Sequence, residues 1–178
     1  MIWYELQVDA KLQRLRTICL DHPTQALAWL SIPGIGLINA ATLTAYVGDG
    51  SRFSNAHQLL NYAGLTPKQD QSGTVDKQLG VSKRGNRVMR RNIVQGVWVI
   101  TTLKPTCPLT KYAYRKKQEG KIKQKVAVAV ANKMLRTGFA LLRSGGLYRP
   151  MVESGYDKLE AKLQSYKLQA LMKSPQQD

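Results

Sequence analysis

The stretch Leu30–Leu43, LSIPGIGLINAATL, constrains this chain more than any other. Helix-forming residues flank it, and Pro33, Gly34 and Gly36 interrupt them. Proline removes a backbone donor and fixes φ, while glycine admits torsions that other residues resist, so no single helix runs through. Two helices must meet here at a tight turn. The pattern around it is helical. Val8, Leu12, Leu15 and Cys19 recur at helical spacing over 2–20. This is the rhythm of a helix packing on a neighbour, either in another chain or in its own domain. Asp21-His22-Pro23-Thr24 ends that helix, and Thr24 is placed to cap the next, over about 25–31. Further helices are expected up to Val47, over 56–63 with Ser54 or Asn55 as cap, and from Arg87 to the prolines at 105 and 108. Two more follow over 111–119 and 121–143, and another is expected after Gly155. The fold class is mainly α: a compact helical domain over 23–150, a linker helix over 1–22, and a C-terminal helix and polar tail over 151–178.

One segment breaks the pattern. Gly64–Asn86 holds four glycines, one proline and little periodicity; a short β-hairpin fits around Thr74–Val81. Long irregular stretches inside a domain often carry function.

Charge narrows the function. Lys and Arg number 27 against 11 Asp and Glu, a net charge of +16. That excess points to a polyanion partner, nucleic acid before membrane surface. No apolar run is long enough to span a bilayer, and the N-terminus has no signal-peptide core. Cys19 and Cys107 show no pairing pattern, which fits a reduced cytoplasm. With two histidines and two scattered cysteines there is no zinc spacing, so no metal site is expected in this chain.

The glycine turn then acquires a use. IPGIG followed by a small-residue helix resembles a helix-hairpin-helix element. Glycines let a phosphate approach closely, and the second helix starts with free N–H groups and a positive dipole end. Gly34, Ile35 and Gly36 are therefore candidate DNA-backbone contacts, the alternative being a tight turn without a ligand. Lys83, Arg84, Arg87, Arg90 and Arg91 crowd around the next helix start, and no acidic residue lies between Asp76 and Glu119. Arginine suits bidentate phosphate contacts. A second basic run, Lys111 with Arg115, Lys116, Lys117, Lys121, Lys123 and Lys125, suits general attraction to a backbone. Ser72, in QDQSGT, leads into the arginines, and a serine hydroxyl attacks a phosphodiester when cations neutralise the phosphate. Ser-Gly is also a common turn pair. The acidic residues are scattered, which argues against a self-contained two-metal nuclease.

Three blocks in order, IPGIGLINAATLTAYVGDGSRFSNAHQLLNYAGLTPKQDQSG, GVSKRGNRVMRRNIVQGVW and KVAVAVANKML, resemble the C-terminal transposase domain of one insertion-sequence family. Its members pair a RuvC-like DEDD domain with a serine-bearing domain; they are the bridge-RNA-guided recombinases and related site-specific DNA invertases. The likeness runs from Leu30 to Pro150. It implies that Ser72 is the nucleophile that links covalently to DNA. It implies that Lys83, Arg84, Gly85, Asn86 and Arg90 are DNA-facing or structural partners of that serine. It further implies dimers to tetramers acting on two duplexes, a structured guide RNA, and a composite site in which Mg²⁺ sits in the acidic domain of another subunit. This sequence lacks that acidic domain and is read as a fragment, a truncated reading frame or a single expressed domain. Alone it is expected to bind nucleic acid and not to recombine DNA, with no cofactor of its own. Two other readings stay open: a non-catalytic nucleic-acid-binding module, or a regulatory remnant that pairs with full-length copies through Val8, Leu12 and Leu15.

Overall fold

The longest helix organises the core. In the computed structural model, which describes residues 2–69, 78–81, 84–103, 106–148 and 165, α7 runs over Lys123–Ser144. Its buried stripe is Ala127, Val130, Ala131, Met134, Leu135, Gly138 and Phe139, a helical repeat of small and large residues. The small positions let other helices come close. The Trp29 indole lies where a Cβ on Gly138 would stand, with Trp29 Cε3 only 2.6 Å from that point. Trp29 comes from α2 (Pro23–Leu30) and is fully buried. Around α7 also pack α4 (Ala56–Ala63), α5 (Arg87–Leu103) and α6 (Pro108–Gln118), while α3 (Leu37–Val47) joins α2 to α5. Each large aliphatic side chain buried here contributes about 1.5–3 kcal/mol.

The first helix, α1 (Ile2–Asp21), reaches the domain through its C-terminal half. Cys19 is fully buried against Ala26 and Ala41, with Leu15, Ile18 and Leu37 beside them, whereas Val8 is 40 % exposed. Over Leu15–Cys19 the apolar spacing is thus used inside the chain's own fold. Burial pushes the Cys19 thiol up to about 11.

Seven helices and two short strands make up the described residues, so the mainly α class holds. Several element ends differ from the sequence reading. His22 precedes α2 and Pro23 occupies its first turn, so Thr24 lies inside the helix and does not cap it. Asn55 is the cap of α4, its Oδ1 accepting the Gln58 N–H at 3.1 Å. Pro108 starts α6, as the missing proline N–H costs nothing in a first turn. The irregular segment does hold an antiparallel pair, but β1 (Pro67–Gln69) pairs with β2 (Gln78–Val81), so the first strand lies earlier than Thr74. Strand formation there depends on a partner, which composition alone does not reveal. The helix expected after Gly155 lies outside the described residues apart from Ser165.

Candidate nucleic-acid interface

Two junctions between helices carry the residues singled out by sequence. The first is the glycine turn between α2 and α3. Ile32 N–H donates to the Trp29 carbonyl and Ile35 N–H to the Ile32 carbonyl, both at 3.1 Å, which winds the chain tightly. Gly34 has φ +86, a conformation L side chains rarely adopt. A Cβ on it would stand 2.5 Å from the Gly96 carbonyl oxygen of α5. Gly34 thus serves close backbone packing, and Ile35 is a core residue, 6 % exposed. Gly36 differs. It precedes α3 in extended conformation, and nothing lies within 4 Å of where its Cβ would be. Beside it opens a groove of about 540 Å³ lined by Leu12, Ile38, Gln95 and Val99 among others, with no charged residue among the described ones in its wall. A ligand at this turn would meet the backbone at Gly36 and the start of α3, not the Ile35 side chain.

The second junction joins α4 to α5. Gly64 ends α4 in the left-handed region, φ 68. Asn86 N–H donates to the Tyr62 carbonyl at 2.7 Å, and Asn86 Oδ1 accepts the Met89 N–H at 2.9 Å, capping α5. Arg90 Nη1 reaches back to the Ala63 carbonyl at 3.1 Å, satisfying a helix end that has no partner within its own helix. Gly85, φ 129, leaves no room for a Cβ against the Tyr62 carbonyl. Gly85, Asn86 and Arg90 therefore lock two helix ends together. Arg84, Arg87 and Arg91 stay exposed. Lys83 and Ser72 lie outside the described residues.

The electrostatics of this end are one-sided. Arg87, Arg90 and Arg91 sit in the first two turns of α5, whose amide dipoles already make that end positive. No acidic residue occurs anywhere in α5. Such placement is unfavourable for the isolated helix and favourable once an anion arrives. Sequence reasoning missed two neighbours. The Arg52 guanidinium carbon lies 4.6 Å from the Tyr62 ring centre and 4.7 Å from that of Phe53. The Tyr62 phenol is held below its usual value, first by its hydrogen bond with Asn86 and then by Arg52. The only sign of this in the sequence was an arginine beside an aromatic in GDGSRF, too common a pair to single out.

The second basic run divides between two faces of α6. Arg115, Lys116 and Lys133 surround the Tyr112 ring at 5.4, 5.7 and 4.5 Å, and Lys116 also bonds Glu119 at 2.7 Å. Lys123 instead lies 4.8 Å from the Trp98 ring. Among the described residues no three His, Cys, Asp or Glu side chains come together. Among them, too, no helix is long and apolar enough to cross a membrane.

Comparison with known proteins finds the chain similar to transposases and to a gene-inverting protein. Residues 27–113 match the model of the Transposase IS116/IS110/IS902 family. The matched span begins in α2 and ends in α6, so it contains both junctions. The chain is 34 % identical over 125 residues to the pilin gene-inverting protein of Moraxella bovis, covering 70 % of this chain and 38 % of that one. It is 29 % identical over 153 residues to the insertion element IS110 uncharacterized 43.6 kDa protein of Streptomyces coelicolor, covering 86 % and 35 %. To the transposase for insertion sequence element IS1111A of Coxiella burnetii it is 42 % identical over 66 residues, 37 % and 18 % of the two chains. The chain thus spans well under half the length of these relatives.

Proposed function

We propose that this chain is the DNA-binding, serine-bearing part of a transposase or site-specific recombinase. The observation that carries the reading is the α5 start, where Arg84, Arg87 and Arg91 are exposed at the positive end of a helix without a carboxylate. Fixed cations there bind a phosphate group and stabilise the extra charge it gains under attack. The family match and the inverting and transposing relatives support the same reading.

In this reading Ser72 is the nucleophile. Its Oγ forms a bond to phosphorus, the bond from phosphorus to a deoxyribose oxygen breaks, and the serine proton ends on the oxygen that leaves. The paired ends of the ribbon, Gln69 and Gln78, bracket the Ser72 segment in the chain, and β2 leads on towards the arginines. Gly36 and the start of α3 grip duplex backbone as a helix-hairpin-helix does. Mg²⁺ belongs to an acidic domain outside this chain, contributed by another subunit of a dimer or tetramer, and a structured guide RNA selects the DNA.

The test is a covalent adduct assay. The chain is mixed with nicked DNA, Mg²⁺ and a relative that supplies an acidic domain but carries alanine at its own serine. A protein–DNA adduct on this chain that disappears with Ser72→Ala is the expected result. An adduct that survives Ser72→Ala refutes the nucleophile. Duplex binding without any adduct favours instead a non-catalytic binding module.

A further inference from the structure

Helices α5 and α6 and the start of α7 enclose a groove of about 640 Å³ on the far side of α6 from Tyr112. Trp98, Tyr114 and Ile122 line it and are 39, 52 and 60 % exposed. Lys117, Lys121 and Lys123 line it as well, and among the described residues no Asp or Glu does. Single exposed apolar side chains are ordinary, but a contiguous group of large ones marks a binding surface. Here they form an apolar platform edged with cations. A nucleic-acid duplex hides its base faces, so rings of this kind gain nothing from it. An unpaired strand offers both parts: flat bases for the rings and phosphates for the lysines.

The position on α5 supports this. Arg87, Arg91 and Trp98 are spaced four and seven apart, so they share one exposed face of the helix. At the rise of an α-helix, Trp98 lies about 10 Å beyond Arg91. A strand that leaves a duplex held at the arginines reaches the tryptophan within a few nucleotides. The threonine hydroxyls of the groove already give their protons to backbone: Thr101 donates to the Val97 carbonyl at 2.9 Å and Thr110 to the Ile100 carbonyl at 3.2 Å. Neither has a proton left to donate to a ribose 2′-hydroxyl, whose recognition distinguishes RNA from DNA.

We infer that the groove between α5, α6 and α7 holds single-stranded DNA without regard to sequence, with bases on Trp98 and Tyr114 and phosphates on Lys117, Lys121 and Lys123. The inference rests on the nucleic-acid reading above and adds a second site to it. Such a site would keep a strand unpaired while its neighbour is cut and rejoined.

The experiment measures binding of the whole chain to a short oligothymidine and to a blunt DNA duplex by fluorescence anisotropy. Trp98→Ala and Tyr114→Ala are expected to weaken oligothymidine binding by about fivefold or more each, since stacking of one base is worth that much. Duplex affinity should hold, and Trp98→Phe should restore most of the loss because a ring remains. A 5-iododeoxyuridine strand should photocrosslink to Trp98 or Tyr114. Unchanged oligothymidine affinity in both alanine variants overturns the site while leaving duplex binding standing. Preference for an oligouridine RNA, or displacement of the strand by a Glu-rich peptide, overturns the assignment to single-stranded DNA. Binding of neither DNA form by the unmodified chain overturns both this inference and the function proposed above.

Discussion

Gly34 and Gly96 meet backbone to backbone. A Cβ on Gly34 would stand 2.5 Å from the Gly96 carbonyl oxygen, and one on Gly96 would stand 2.9 Å from the Gly34 carbonyl oxygen. The contact fastens the turn between α2 and α3 onto the middle of α5. It ties the first junction to the helix that bears the arginines.

From that contact, Gly34→Ala is expected to destabilise the fold by about 1–3 kcal/mol or more, because it combines positive φ with a clash against backbone that cannot swing away. Gly36→Ala meets open space and should cost less than about 1 kcal/mol. Urea denaturation of the two variants makes the comparison. If Gly36→Ala keeps its fold yet binds duplex DNA several-fold more weakly, the backbone there touches the ligand. Ile38, 54 % exposed, is the position for a charge test on the same turn, since Leu37 packs on α1 and Asn39 is buried. Ile38→Glu should weaken duplex binding without moving the denaturation midpoint.

The arginines of α5 should separate cleanly. Arg90→Ala leaves the Ala63 carbonyl without its donor and is expected to cost about 1–3 kcal/mol of stability. Arg84→Ala, Arg87→Ala and Arg91→Ala remove exposed cations, two of them at the positive end of a helix, and should leave stability equal or raise it by a few tenths of a kcal/mol. The same three should weaken duplex binding, and each lost phosphate contact should reduce the logarithmic salt slope by about 0.9. Affinity measured across a salt series decides it; a slope identical in the triple variant would remove these residues from the interface.

Asn86 is predicted to matter through structure. Its side chain caps α5 and its backbone holds the end of α4. Asn86→Ala should cost about 0.5–2 kcal/mol, and Asn86→Asp should retain most of the cap. Thermal melts of the two variants give the order.

Alkaline stability should carry a mark of Cys19. Its folded thiol is pushed up to about 11 from 9.0. Between those values the unfolded chain has lost the proton and the folded chain keeps it, so folding binds more protons and stability falls as pH rises. The contribution is complete below pH 9.0 and gone above about 11. Cys19→Ala should lose stability less steeply across that window, as measured by denaturant midpoints. Native Cys19 should also resist alkylation until the chain unfolds.

Much of the scaffold was legible. Helix existence followed from spacing: Met89, Ile93, Val97 and Ile100 are spaced for one face, and all four are buried in α5. Cap identity was less legible, because Thr24 and His22 are separated by a single proline whose fit to a first turn outweighs a threonine cap. The basic cluster was visible as a cluster, but its division was not. Arg90 differs from Arg91 only in which way its side chain points, and that depends on where α4 ends. Arg52 and Tyr62 were missed because their stacking brings together a turn and a later helix. Trp98 and Tyr114 were not singled out by sequence, and the fold leaves both exposed.

Composition and periodicity by themselves determined a basic, mainly helical chain with a glycine turn that no continuous helix could cross. Those are local properties: torsional freedom, side-chain period and net charge are all present in a short window of sequence. The tertiary structure alone decided that Gly34 packs inward while Gly36 stays open, that Asn86 and Arg90 brace helix ends, and that Arg84, Arg87 and Arg91 remain for a ligand. These are contacts between segments far apart in the chain, and nothing within one segment encodes which surface the other will cover.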